Sequence, residues 1–323
     1  MTPDTSEPRC GSASTRGVVL SGTGGVWRIR TDGGESLDAS LRGRLKNRAA
    51  TRPSEARRPK LAVGDRVGVE PGRHGGWAIA EILPRTSKLS RRAPVGAFGE
   101  RILAANVDQV IVVVAAAHPE PNSRMLDRFL IIAEANELGA RIVVNKVDLA
   151  DEAETHRWCE PYERAGYPVH YASVKLGRGV DAIRAVLDNR ISVLTGPSGV
   201  GKSSMINAIF PGLNLRVGAI SESVQKGRHT TVGSVMVPLP APGGGYVVDT
   251  PGLREVGIWD LPAGALDRCF PEFRPQLGLC RFGDCRHSLE PGCAVLDAVR
   301  RGDISVARFE SYTLLLDQLV SGS

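Results

Sequence analysis

Gly196-Pro197-Ser198-Gly199-Val200-Gly201-Lys202-Ser203 follows the apolar run Ile191-Ser192-Val193-Leu194-Thr195 and precedes a helix-forming stretch over 204–210. Strand, glycine-rich loop and helix in that order make the spacing G-x-x-x-x-G-K-S a phosphate cradle rather than a chance pattern. Glycine lets the backbone turn its N–H groups inward, and the helix N-terminus adds partial positive charge where phosphate oxygens would lie. On this reading Lys202 reaches the β- and γ-phosphates, the Ser203 hydroxyl binds Mg²⁺, and Ser204 at the start of the helix joins the nucleotide-binding residues.

The strands and helices around this loop alternate. Val110-Ile111-Val112-Val113-Val114 reads as a buried strand, and Met125, Leu126, Phe129, Leu130 and Ala133 repeat at helical spacing, with Gly139 as the helix stop. The run 140–144 is a second strand, 153–165 a helix, 168–172 a third strand, and 180–187 a helix returning the chain to the phosphate loop. Such a βαβα succession predicts a mostly parallel sheet covered on both faces.

The second strand leads into Asn145-Lys146-Val147-Asp148. Beside a phosphate loop, the Asp148 carboxylate can accept hydrogen bonds from the ring N–H and exocyclic amine of guanine, which adenine does not offer. Asn145 and Lys146 would frame the base, and the backbone of Ser173-Val174 would close its other side. This points to GTP rather than ATP.

Past the loop helix, the polar stretch 212–232 contains Lys226-Gly227-Arg228-His229-Thr230-Thr231. A threonine that joins the Mg²⁺ shell only when γ-phosphate is present is how a first switch works; Thr231 is the first choice and Thr230 the second. The short strand Gly245-Tyr246-Val247-Val248 ends at Asp249-Thr250-Pro251-Gly252, where Asp249 would hold Mg²⁺ and the Gly252 amide would sense γ-phosphate. The base motif thus precedes the phosphate loop, the reverse of the ordinary order. Permutation is permissible because ligand groups gather at the carboxyl ends of parallel strands, whatever order the chain visits them in.

Residues from Gly17 to about Arg85 show short β-prone runs between glycine turns, as a small β-barrel would. Within them a basic stretch runs from Leu41 to Lys60 with Glu55 as its one acid, and Arg85, Lys88, Arg91 and Arg92 carry the charge into the following linker. Such a stretch suits RNA phosphates, though a solvated surface loop would carry the same charges. The net charge of +6 and pI near 9.1 also favour an anionic partner beyond the nucleotide, nucleic acid first. Residues 1–16 read as a flexible arm without a signal peptide, and the longest apolar run, Val110 to Ala117, is too short to cross a bilayer. A cytoplasmic, monomeric protein with no membrane partner is expected.

Near the C-terminus, Cys280-x₄-Cys285-x-His287-x₅-Cys293 supplies three thiolates and one imidazole, a closed set suited to one tetrahedral structural Zn²⁺ with no open position for a catalytic water. Cys269 falls outside this spacing and is expected to be packed. Arg268, Arg274, Arg281, Arg286, Arg300 and Arg301 surround the cluster as a second basic surface, and 306–319 has helical spacing.

The permuted order, Gly-Arg-His-Thr-Thr at 227–231, Asp-Thr-Pro-Gly at 249–252, Ala104-Ala105-Asn106-Val107-Asp108 upstream and the cysteine cluster together resemble the RsgA (YjeQ) ribosome small-subunit-dependent GTPases over about residues 17–320. Beyond the arm 1–16, the resemblance implies a multidomain α/β protein: an OB-fold over 17–85, a circularly permuted P-loop GTPase domain over 86–260 and a helical zinc domain over 261–323. It further implies GTP hydrolysis to GDP, stimulated by the small (30S) ribosomal subunit, late in maturation of that subunit, with ribosomal RNA bound. Two departures stand out. Val232 sits where the family often has a third threonine, and Leu253 follows Asp-x-x-Gly, where many GTPases place a water-orienting glutamine. His229 is therefore the candidate for positioning the attacking water, with docking of the switch onto RNA or protein as its other reading, and Lys202 neutralises phosphate charge. A rival reading from another class is an RNA-binding assembly scaffold in which nucleotide only sets conformation.

Overall fold

The computed structural model describes residues 15–42, 61–72, 75–92, 100–213, 234–240, 242–249 and 261–321, and the chain divides into two compact units, one up to Arg85 and one from Thr86 onward.

The first unit is a closed five-stranded barrel of β1 (Thr15–Thr23), β2 (Val26–Thr31), β3 (Ser36–Leu41), β4 (Arg66–Pro71) and β5 (Trp77–Ile82), in the order β1-β2-β3-β5-β4. Only β3 and β5 pair in parallel, which gives the OB-type barrel. Val19, Ile29, Ala39, Val67, Val69 and Ile79 point inward and fill it. β3 went unread in the sequence: its inward positions are Leu37, Ala39 and Leu41, a weak alternation running straight into the basic stretch. Most of that stretch, 43–60, and the arm up to residue 14 lie outside the described residues. Arg85 is not part of a basic surface, because its Nε and Nη2 donate to the fully buried Asp65 carboxylate at 2.6 and 2.7 Å.

The second unit opens with a hairpin rather than a linker, β6 (Lys88–Arg92) against β7 (Glu100–Ala105). Lys88 pairs there with Glu100 at 2.6 Å. The main sheet contains β8 (Gln109–Ala115), β9 (Gly139–Asn145), β10 (Val169–Tyr171), β11 (Ile191–Thr195), β12 (Val235–Pro238) and β13 (Tyr246–Asp249) in the order β10-β9-β8-β11-β13-β12. All its pairings are parallel except β12 on β13. β8 is buried along its whole length, as a central strand covered on both faces must be.

The covering helices are α1 (Ser123–Ala135), α2 (Glu152–Arg164), α3 (Val180–Leu187) and α4 (Lys202–Ile209). Asn122 and Asp151 cap α1 and α2 by accepting the N–H of Met125 and Glu154. Gly139 does not stop α1: the helix ends at Asn136 and the left-handed Glu137, and Gly139 begins β9. The chain closes with α5 (Ala294–Arg301) and α6 (Val306–Ser321). They surround a separate core of Leu266, Phe270, Phe273, Val295, Tyr312, Leu315 and Leu316, which Ile131 of α1 joins. Among the described residues, no helix is long and apolar enough to cross a membrane.

Candidate nucleotide site and metal centre

Parallel register brings the functional loops to one edge. Ala115 pairs with Asn145, Val112 with Thr195, and Leu194 with Asp249, so the carboxyl ends of β8, β9, β11 and β13 lie side by side. The phosphate loop leaves β11 with Gly196 (φ 132°), Gly199 (φ 79°) and Gly201 (φ 96°) in the left-handed half of backbone space. Two of these glycines are required twice over. A Cβ on Gly196 would lie 2.0 Å from the Val113 carbonyl oxygen, and one on Gly201 would lie 2.5 Å from Asn145 Nδ2.

Lys202 is buried at the first position of α4, and its ammonium donates to the carbonyls of Gly196 and Pro197 at 2.8 and 2.6 Å, which holds it across the mouth of its own loop. Ser203 is buried beside it and Ser204 half-buried next in the helix.

Asn145 frames the base site from behind, as a brace. It is 2% exposed, its Nδ2 donates to the Val200 carbonyl at 2.8 Å, and its Oδ1 accepts the Val174 N–H at 3.3 Å. One side chain thus fastens the base-motif strand to both the phosphate loop and the Ser173-Val174 turn. Lys146 adopts φ 61° and donates from Nζ to the His118 carbonyl. Asp148 remains half-buried with its Oδ1 accepting the Ser173 hydroxyl at 2.5 Å. That hydrogen bond holds the Asp148 carboxyl below its usual range, so the acceptor stays ionised. Asp249 ends β13 at the same edge. His229, Thr230, Thr231, Val232, Gly252 and Leu253 lie outside the described residues.

The C-terminal cluster is drawn as tightly. The ligand atoms of Cys280, Cys285, His287 and Cys293 all fall within 4.8 Å of one another. Cys280 Sγ lies 3.9 Å from Cys293 Sγ, and His287 Nδ1 lies 3.5 and 3.4 Å from those two sulfurs. A tetrahedral ion with metal–sulfur and metal–nitrogen distances of about 2.3 and 2.0 Å sets edges near 3.8 and 3.5 Å, whereas a disulfide would need about 2.05 Å. The donor set and its spacing therefore fit Zn²⁺.

The groups that orient these ligands carry no sequence signal. The other imidazole nitrogen of His287 faces Asp267 at 3.6 Å, and the backbone N–H groups of Ala294 and Leu296 donate to Cys280 and Cys293. Glu290 ties the intervening loop by accepting the N–H groups of Arg286, Ser288 and Leu289. Burial alone would raise its pKa, yet these donors and its own backbone N–H bring it below the usual range. Of the surrounding arginines, Arg274, Arg300 and Arg301 are engaged by Glu134, Asp297 and Asp303, while Arg281 stacks over Phe282.

The RsgA GTPase family model matches residues 82–259. The chain is 55% identical to the small ribosomal subunit biogenesis GTPase RsgA of Gemmatimonas aurantiaca, over 97% of this chain and all of that one. It resembles the crystal structure of YjeQ from Thermotoga maritima with a TM-score of 0.77 and 35% identity, covering 95% of this chain and 98% of the other. It shares its fold with YloQ, a circularly permuted GTPase, at a TM-score of 0.73 and 24% identity over 98% and 99% of the two chains. A family model that matches more than half of the chain and a relative 55% identical over its whole length show the family, and the base motif at 145–148 precedes the phosphate loop at 196–203 in the chain: this protein belongs to the RsgA family of GTPases, with its motifs in circularly permuted order.

Proposed function

We propose that this GTPase hydrolyses GTP to GDP and phosphate in late maturation of the small ribosomal subunit, and that contact with that subunit and its RNA stimulates turnover. The observation that carries the reading is the brace made by Asn145, which joins the Asp148 base site and the phosphate loop into one guanine-nucleotide site. Gly196, Pro197, Ser198, Gly199, Val200, Gly201, Ser203 and Ser204 line the phosphates, and Lys202 exchanges its loop carbonyls for β- and γ-phosphate oxygens when nucleotide enters. Ser203, Asp249 and Thr231, or Thr230 in its place, would hold Mg²⁺, which would supply charge neutralisation for the phosphates. Gly252 senses γ-phosphate and His229 orients the attacking water.

The Cys280, Cys285, His287 and Cys293 set holds one structural Zn²⁺. The working divisions are the barrel from Thr15 to Arg85, the nucleotide domain over 86–260 and the zinc domain over 261–323, acting as a cytoplasmic monomer with RNA-facing basic surfaces on the first and last. GTP turnover by the zinc-replete chain, with and without small subunits, tests this against large subunits and ATP as controls. Stimulation of about tenfold or more by the small subunit alone is expected. GTP binding with unstimulated turnover would overturn the reading in favour of a nucleotide-gated scaffold.

Asp148 adds a pH prediction. Guanine recognition needs the ionised carboxylate, and its lowered pKa keeps it ionised as the medium is acidified. Ser173→Ala removes the bond that lowers it, so protonation moves up toward the ordinary value of about 3.9. GTP affinity of the variant is expected to decline at a higher pH than that of the parent, measured by equilibrium binding in an acid titration. Superimposable profiles would remove Ser173 from base recognition.

A further inference from the structure

The largest fully buried side chain in the described structure is a charged one, Arg308 in the first turn of α6, at 2% exposure. Its Nη1 donates to Asp127 on α1, which is 1% exposed, and its Nε and Nη2 grip the Glu272 carboxylate at 2.7 and 3.3 Å. Three rings enclose the guanidinium: Phe270 at 4.5 Å, Tyr162 of α2 at 5.2 Å and Tyr167 at 5.9 Å. Burying one cation with two carboxylates is a poor way to gain stability, since apolar groups of the same volume do as well. What the planar fork does supply is a fixed orientation, because its donors engage two carboxylates on different segments at once.

Both ends of this pin lead to functional elements. On the nucleotide side, Asp127 sits one turn into α1, whose cap Asn122 ends the loop 116–121. That loop gives its His118 carbonyl to Lys146 of the base motif and sets Pro119 Cδ 3.9 Å from where a Cβ on Gly199 of the phosphate loop would stand. On the other side, Tyr312 lies one turn beyond Arg308 on α6, and its hydroxyl donates to the Arg286 carbonyl inside the cysteine loop at 2.8 Å. Hydrogen bonds joined by short lengths of chain therefore link the base motif, through the loop 116–121, α1, Arg308 and α6, to the cysteine cluster.

We infer that Arg308 is a positioning residue for subunit-stimulated GTP hydrolysis: by pinning α6 and Glu272 to Asp127, it passes subunit contact at the cysteine loop to the loops that hold the nucleotide. The inference rests on the small-subunit reading above. It is distinct from any signal through the second switch, because each contact in it lies outside 250–260.

The test uses the full zinc-loaded chain with the network replaced by apolar groups, Arg308→Met, Asp127→Leu and Glu272→Met together, beside Arg308→Lys alone. Zinc content, GTP affinity and unstimulated turnover of the triple variant are expected to stay within about twofold of the parent, while stimulated kcat falls at least about tenfold with little change in the subunit concentration for half-effect. Arg308→Lys keeps the charge but loses the fork, so part of the stimulation returns. Parental stimulated kcat in the triple variant would overturn the inference. So would a loss confined to half-saturation, which would make the network a mere support for the docking surface. Should the triple variant not fold, Arg308→Lys decides alone, a kcat equal to the parent's overturning the inference. A parent chain that small subunits fail to stimulate would instead sink the function proposed above.

Discussion

Asp148→Asn is expected to weaken GTP binding by about 10²- to 10³-fold, the equivalent of about 3–4 kcal/mol, and to turn the site toward xanthosine triphosphate. In the proposed site the carboxylate would accept from both the ring N–H and the exocyclic amine of guanine, and each hydrogen bond to a charged acceptor contributes about 1.5–3 kcal/mol. Asparagine keeps one acceptor and presents an amide donor where the amine lies, so donor meets donor. Xanthine carries a carbonyl at that position, which the amide donor satisfies. The fold is spared, because the side-chain oxygen of asparagine still accepts the Ser173 hydroxyl that now lies 2.5 Å from Asp148. Competition binding with the two nucleotides reads the result directly. An unchanged preference for GTP would mean that the base sits elsewhere and that the motif is only a strand end.

How much of this was legible beforehand depends on the distance between partners in the chain. The phosphate loop, the base motif and the cysteine cluster were read from residues a few places apart, because backbone chirality and ligand spacing constrain them locally. The small barrel followed from short β-prone runs between glycine turns, the parallel sheet from the alternation of strands and helices, and the OB type from the family resemblance. Elements whose stability comes from across the fold were missed. β6 and β7 read as a basic linker because their arginines and lysine mask Leu89, which is fully buried. β12 carries only Val235-Met236-Val237 before Pro238 and is completed by its pairing with β13.

Arg308 and Asp127 show the limit most clearly. They stand 181 residues apart, each in a helix whose composition gives a charge no reason to be inside. Asn145 was read as part of the base site, but its role as a brace depends on Val200 and Val174, which only the sheet register brings to it. Local chemistry announces ligands in a sequence; the side chains that hold them in place are chosen by packing.

Cys293→Ser is expected to have the other large effect, and it separates the metal's contribution from the helix's. Cys293 has two roles: its sulfur belongs to the four-ligand set, and it caps α5 by accepting the Leu296 N–H. Serine is a good helix cap, so the substitution retains the cap and removes a ligand. Structural zinc contributes about 10–16 kcal/mol of apparent binding energy in small domains, comparable with the whole stability of a folded protein, about 5–15 kcal/mol. The apolar core of Leu266, Phe270, Phe273, Tyr312 and Leu316 survives the change, so the C-terminal region should loosen around the cysteine loop rather than unfold throughout. Bound zinc is expected to fall from one per chain to near none and the thermal midpoint by about 10 °C. Cys269→Ala is the control. Burial pushes that thiol up to about 12 and leaves it a protonated packing group, so its loss should cost about 1–2 kcal/mol with zinc retained. A Cys293→Ser chain that keeps its zinc and its midpoint would reduce the cluster to four packed side chains.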